Sequence, residues 1–104
     1  MAISEAEIIE ACKNQNRRAQ EELYRKYYKR LLGICMRYAK TDLEAEDMLQ
    51  DVFIKVFRYI GNYQPTGSFE GWLKRITVNV SIEHYRKNKK HLFVEDVLSL
   101  GDSG

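Results

Sequence analysis

The segment from Asp42 to Ile60 constrains the fold more than any other part of the chain. Ala45, Met48, Leu49, Val52, Phe53, Val56, Phe57 and Ile60 recur at three- and four-residue spacing. Only an α-helix brings such a set to one side. Thr41 and Glu44 have the spacing of a capping box, and the acids of the first turn suit the positive end of the helix dipole. Gly61 stops the helix, and the only proline, Pro65, falls in the loop GNYQPTGS that follows. Upstream, Ser4 and Glu7 make a second capping box, opening a short helix through about Lys13 with Ile8, Ile9 and Cys12 on its apolar face. KNQN breaks it. A further helix is expected from about Arg17 to Lys40, with Leu23, Tyr27, Leu31, Ile34, Cys35 and Tyr38 as its core stripe.

The stretch ITVNVSIE, residues 76–83, alternates apolar and polar residues and by itself reads as a half-buried strand. Its surroundings argue otherwise. Phe69, Trp72, Leu73, Ile76 and Val80 have helical spacing, Ser68 suits an N-cap, and nothing else in the chain offers a strand to pair with. A helix is therefore expected from about 69 to 88. The β-branched residues cost it a few tenths of a kcal/mol each. Val78, Ile82 and Tyr85 would form a second apolar stripe. Between the stripes runs a ribbon of Arg75, Asn79 and Arg86, with Trp72 at its edge and Lys90 at its end. The tail HLFVEDVLSLGDSG reads as the start of a linker or a weakly docking segment. The expected fold is all-α, a compact bundle of three to four helices in one domain.

Composition narrows the function classes. At 104 residues with 44% hydrophobic and 31% charged residues, the chain can bury a modest core. No apolar run reaches the length of a membrane span, and MAISEAEIIE lacks the pattern of a signal peptide. A cytoplasmic location is the default expectation. Cys12 and Cys35 fall in apolar helical positions and are expected to be buried free thiols. With no CxxC and no histidine near either cysteine in sequence, no metal or other cofactor is expected.

The net charge of +2 conceals a segregation. Residues 42–51 carry only acids, whereas Lys74, Arg75, Arg86, Lys87, Lys89 and Lys90 dominate residues 69–91. Two unlike partners, or one partner with two surfaces, would account for this. Cations and an asparagine along a helix edge beside an aromatic suit nucleic acid: phosphates meet the cations, Asn reads a base edge, and an aromatic stacks on an unpaired base. A plain solvated basic face, with Trp72 as a core anchor, is the alternative. On the acidic helix, Ile54 lies exposed among Glu44, Asp47, Gln50, Asp51 and Arg58, which suits the centre of an interface. The carboxylates lack any His, Ser or Cys constellation, so the chain is not expected to be an enzyme. A helical protein–protein adaptor that binds no DNA is the competing class. A helix-turn-helix is disfavoured by the eight-residue loop before the basic helix.

The runs DLEAEDMLQDVFIKVFRYI, NYQPTGS and FEGWLKRITVNVSIEHYRK together resemble region 2 of a bacterial RNA polymerase sigma factor of the extracytoplasmic-function group. The resemblance covers roughly residues 6–90 and implies a region 2 domain over 1–90, with 91–104 beginning an interdomain linker. It implies that the helix 42–60 docks on the clamp helices of the largest subunit of core RNA polymerase through Asp47, Gln50 and Asp51, with Phe53 and Phe57 nearby; Ile54, from its exposed place among them, is expected to join the contact. It implies that the loop and the last helix bind the single-stranded non-template strand of the promoter −10 element and help open the duplex by capturing a base. The corresponding residues are Asn62, Tyr63, Ser68, Phe69, Trp72, Arg75, Asn79 and Arg86; from charge alone, Lys74, Lys87 and Lys90 are expected to join them in DNA binding. The group also suggests an inhibitory anti-sigma factor as a partner. Thr77 and Glu83 depart from the usual Ala and Asp, and the region 4 that reads the −35 element is not in this sequence.

Overall fold

The computed structural model describes residues 4–102, with side chains described as far as Asn88. Four helices follow one another: α1 (Glu5–Lys13), α2 (Arg17–Met36), α3 (Asp42–Tyr59) and α4 (Phe69–Asp102). A 3₁₀ turn, Ile60–Asn62, extends α3 into the loop. The architecture is an all-α bundle, with no strand among the described residues. α2 packs against the other three helices, α3 also packs against α4, and α1 touches the 3₁₀ turn.

Local chemistry sets the helix starts. Ser4 Oγ accepts from Glu7 N, Asn16 Oδ1 from Ala19 N, and Thr41 Oγ1 from Glu44 N. Each satisfies an amide that a first helical turn leaves without a partner. The α1–α2 corner is unusually tight. Gln15 sits in the left-handed region at φ 63°, Gln15 N donates to Cys12 O, and Asn16 N donates to Ala11 O. These two bonds form a Schellman cap, and Asn16 at once caps the next helix.

The core stripes interlock as the spacing predicts. Leu23, Leu31, Met48, Leu49, Val52, Val56, Ile60 and Leu73 are fully buried. Each such side chain contributes about 1.5–3 kcal/mol by leaving water. Residues 76–83 lie within α4, which settles the strand-or-helix question in favour of the helix. The polar members of that stretch also take part in the core. Thr77 and Ser81 are buried, Thr77 Oγ1 donates to Leu73 O at 2.8 Å, and Ser81 Oγ lies 3.6 Å from Cys35 Sγ. Small hydroxyls let α4 lie close to its neighbours without leaving a polar atom unpaired. Cys12 and Cys35 are free and buried, and burial pushes both thiols up in pKa.

Two expectations need correction. α2 ends at Met36 instead of Lys40, because Tyr38 N and Ala39 N both donate to Cys35 O and Tyr38 packs on the core from the turn. α4 runs on to Asp102, past the expected end near 88, since no Gly or Pro interrupts residues 72–100. Val78 and Ile82 are half-buried and Tyr85 is exposed, so the second apolar stripe is only partly covered. No helix among the described residues is long and apolar enough to cross a membrane.

Glu5 ties α1 to α2, accepting from Lys26 Nζ and Tyr27 Oη at 2.9 Å each. The Lys26 hydrogen bond, opposed by partial burial, holds the Glu5 carboxyl below its ordinary value. Burial first, and then the Glu5 carboxylate, push the Tyr27 phenol up, so it stays a neutral donor.

Two predictions follow from these local features. A depressed carboxyl stabilises the fold above its unfolded pKa and loses that contribution as pH falls through the folded one. Glu5→Gln should therefore flatten the acid limb of a stability–pH curve below about pH 4.5, at a neutral-pH cost under ~1 kcal/mol because the pair is partly solvated. Gln15→Gly should raise the chemical-denaturation midpoint, worth about 0.5–1 kcal/mol, and Gln15→Val should lower it. An unchanged midpoint for both Gln15 variants would contradict the left-handed cap.

Candidate nucleic-acid and protein interface

The loop between α3 and α4 is fastened by rings. Tyr63 and Phe69 are buried despite lying at the loop's two ends. Their centroids are 5.1 Å apart and edge-to-face, Tyr63 lies 5.1 Å from Trp72, and Phe69 stacks on Trp72 at 5.6 Å. Tyr27 of α2 meets Phe69 from beneath at 6.0 Å. Such contacts contribute beyond area alone, about 0.5–1.5 kcal/mol each. Tyr63 Oη donates to Gly67 O at 3.3 Å, closing the loop across its own base. Ser68 caps α4, its Oγ accepting from Gly71 N at 3.1 Å.

Over these rings lies an open pocket of about 450 Å³, lined by Asn62, Gln64, Thr66, Ser68, Trp72 and Arg75 among others. Its chemistry is polar amide and hydroxyl groups, the half-buried flank of an indole, and one cation. That set suits a flat ring with hydrogen-bonding edges attached to an anionic backbone. Asn79 and Arg86 continue from Arg75 along α4, and all three are exposed.

Five of the expected nucleic-acid residues therefore meet at one pocket: Asn62, Tyr63, Ser68, Trp72 and Arg75. Phe69 does not reach its surface, and the Tyr63 ring is largely in the core, so both act by positioning. Lys74 lines a different groove, described below. Lys87 is exposed, and the side chain of Lys90 lies outside the described residues. Gln64, Thr66, Gly67 and Gly71 were not singled out from sequence. Their signal was only that they surround the proline in a loop bracketed by aromatics.

On α3, Asp47, Gln50 and Ile54 share an exposed ridge, with Ile54 55% and Leu43 78% exposed. Leu43 was missed, although 43, 47, 50 and 54 have the spacing of one stripe. Phe53 is buried, its ring tilted at 50° against Tyr24 with centroids 4.7 Å apart, and Phe57 is half-buried against it. Phe53 accordingly supports the ridge from within.

The acidic and basic helices also hold one another. His84 Nε2 lies 2.6 Å from Asp51 Oδ2, Lys55 Nζ lies 3.2 Å from Glu83 Oε2, and Asn88 Nδ2 donates to Glu44. Part of the charge segregation is thus spent between α3 and α4. Asp51 faces this seam, whereas Asp47 is in no ion pair among the described residues.

Residues 23–91 match the family model described as Sigma-70 region 2. The chain is 43% identical over 67 residues to the ECF RNA polymerase sigma factor SigE of Mycolicibacterium smegmatis, covering 64% of this chain and 26% of that protein. It is 33% identical over 78 residues to the RNA polymerase sigma-H factor of Pseudomonas aeruginosa, covering 75% of this chain and 40% of that one. It is 30% identical over 101 residues to the ECF RNA polymerase sigma factor SigM of Mycobacterium tuberculosis, covering 95% and 52%. The chain thus spans about a quarter to half the length of these relatives. An NMR structure of an engineered region 2 of sigmaE in complex with GTAAAA superposes with a TM-score of 0.80 at 22% identity, covering 88% of this chain and 98% of that one. At that identity the likeness concerns the fold.

Two substitutions test the ring platform. Trp72→Ala should destabilise by less than the ~3–5 kcal/mol of a fully buried aromatic, because one flank is already solvated. Phe69→Ala should reach that range. Equal losses in thermal melts would show that Trp72 is held wholly by the core.

Proposed function

Since the chain belongs to the Sigma-70 region 2 family, in its extracytoplasmic-function group, we propose that it joins core RNA polymerase to the promoter −10 element and helps open the duplex there. The observation that carries the proposal is the polar, Trp-flanked pocket over the aromatic platform, with Arg75 on its rim. A base turned out of the stack would enter beside Trp72, its edge read by Asn62, Thr66 and the Ser68 hydroxyl. Unpairing costs a few kcal/mol, which a preformed pocket offsets more fully than a mobile loop. Arg75, Arg86, Lys87 and Lys90 would hold phosphates, and Asn79 would read a neighbouring base.

The α3 ridge of Leu43, Asp47, Gln50 and Ile54, with Phe57 and Asp51 at its margins, would dock on the polymerase clamp helices. Its support is an apolar centre within a carboxylate and amide rim, lying apart from the pocket lining. Residues 1–90 would form the working unit and 91–104 its connection to a further promoter-reading region. The protein would act in the cytoplasm, where an anti-sigma factor would compete for it.

Asp47→Lys should weaken binding to core polymerase by about 2 kcal/mol or more, with circular dichroism unchanged. Arg75→Ala should weaken all single strands and reduce the log–log salt slope by about 0.7. Asn79→Ala should change preference among −10-like strands by about 1–3 kcal/mol. Fluorescence anisotropy on the domain, alone and with core polymerase, measures all three. Equal affinity for −10-like strands, scrambled strands and duplex would leave only a protein-binding bundle.

A further inference from the structure

A second groove lies between α2 and α4, away from the pocket over the ring platform. It has a volume of about 510 Å³ and is lined by Arg30, Gly33, Ile34, Arg37, Tyr38, Lys74 and Val78. Ile34, Tyr38 and Val78 are half-buried and form an apolar floor. Three cations rim it, and no carboxylate is among the lining residues. Arg30 already pairs with Glu70 at 2.6 Å, so Arg37 and Lys74 are the cations open to a new partner; neither is in an ion pair among the described residues.

Gly33 supplies a separate observation. It lies near the end of α2, where glycine is less stable than alanine. A Cβ added there would meet nothing within 4 Å, so packing inside the domain does not require the glycine. A helix backbone left bare at the edge of a groove lets another chain approach closely.

We propose that this groove binds an acidic amphipathic segment of a protein partner, seating apolar side chains on Ile34, Tyr38 and Val78 and carboxylates on Arg37 and Lys74, with its backbone passing over Gly33. A nucleic-acid strand would satisfy the cations but leave the apolar floor and the bare glycine without a role. The inference does not depend on the reading of the loop pocket or of the α3 ridge.

The test uses a fluorescein-labelled 14-residue peptide with leucines at helical spacing flanked by glutamates, its Glu→Lys counterpart, and an unlabelled poly-dT 14-mer as competitor. The acidic peptide should bind at least tenfold more tightly than the basic one. Arg37→Glu with Lys74→Glu should abolish that preference, whereas Arg75→Ala should not. Gly33→Ala should raise Tm by several degrees and still weaken the peptide severalfold, an opposition that a purely structural role would not produce. Poly-dT should not displace the peptide. Equal binding of the two peptides, displacement by poly-dT, or full binding by the Gly33→Ala variant would each overturn the proposal.

Discussion

The edge-to-face contacts that Phe69 makes with Tyr27 on one side and Tyr63 on the other join three separate parts of the chain. Tyr27 belongs to α2 and is itself fixed by Glu5 of α1. Tyr63 ends the 3₁₀ turn after α3, and Phe69 opens α4. A proline-containing loop of this kind would ordinarily wander, at an entropic cost to any ligand that had to order it. Here both its ends are driven into the core by apolar area, and its middle is closed by the Tyr63–Gly67 hydrogen bond. The pocket is therefore a consequence of core packing, and its polar lining is free to be chosen for a ligand.

α4 carries the rest of the arrangement. One side buries Leu73, Thr77, Val80 and Ser81. Another carries Arg75, Asn79 and Arg86 into solvent. His84 and Asn88 reach across to Asp51 and Glu44 on α3. These contacts are solvated and contribute little stability. Their effect is on geometry, because they hold the acidic helix and the basic helix in one register. The two faces assigned to polymerase and to DNA are thereby fixed relative to each other within one small bundle.

Much of this was legible in the residues. Helix starts were readable at Ser4 and Thr41, because a capping box is a local hydrogen-bond pattern with a fixed spacing. The α3 stripe was readable because every apolar member faces one way. ITVNVSIE misled in one respect only: alternation suggested that Thr77 and Ser81 faced outward, and close helix packing put them inside. Spacing alone cannot distinguish a small polar residue that fits a tight interface from one that is solvated. The same limit applied to Tyr63, which sits in a polar loop in sequence and is buried against Phe69 and Trp72 of the helix that follows. The pocket lining at Gln64, Thr66 and Gly71 depends on how the loop closes, which no period in the sequence encodes. The α3–α4 seam likewise depends on helix rotation.

The central claim is that a preformed loop pocket, pinned by Phe69, receives an unpaired base. The most direct measurement is a two-dimensional amide NMR titration of the domain with a short single-stranded −10-like oligonucleotide. The account predicts perturbations concentrated at residues 62–75, including the Trp72 indole N–H, with the Phe69 and Tyr63 backbone shifting little because the platform does not move. A scrambled strand should perturb Arg75, Asn79 and Arg86 and leave the Trp72 indole unchanged. Perturbation of the Trp72 indole and the loop to the same extent by both strands, or confined to α1 and α2, would contradict it.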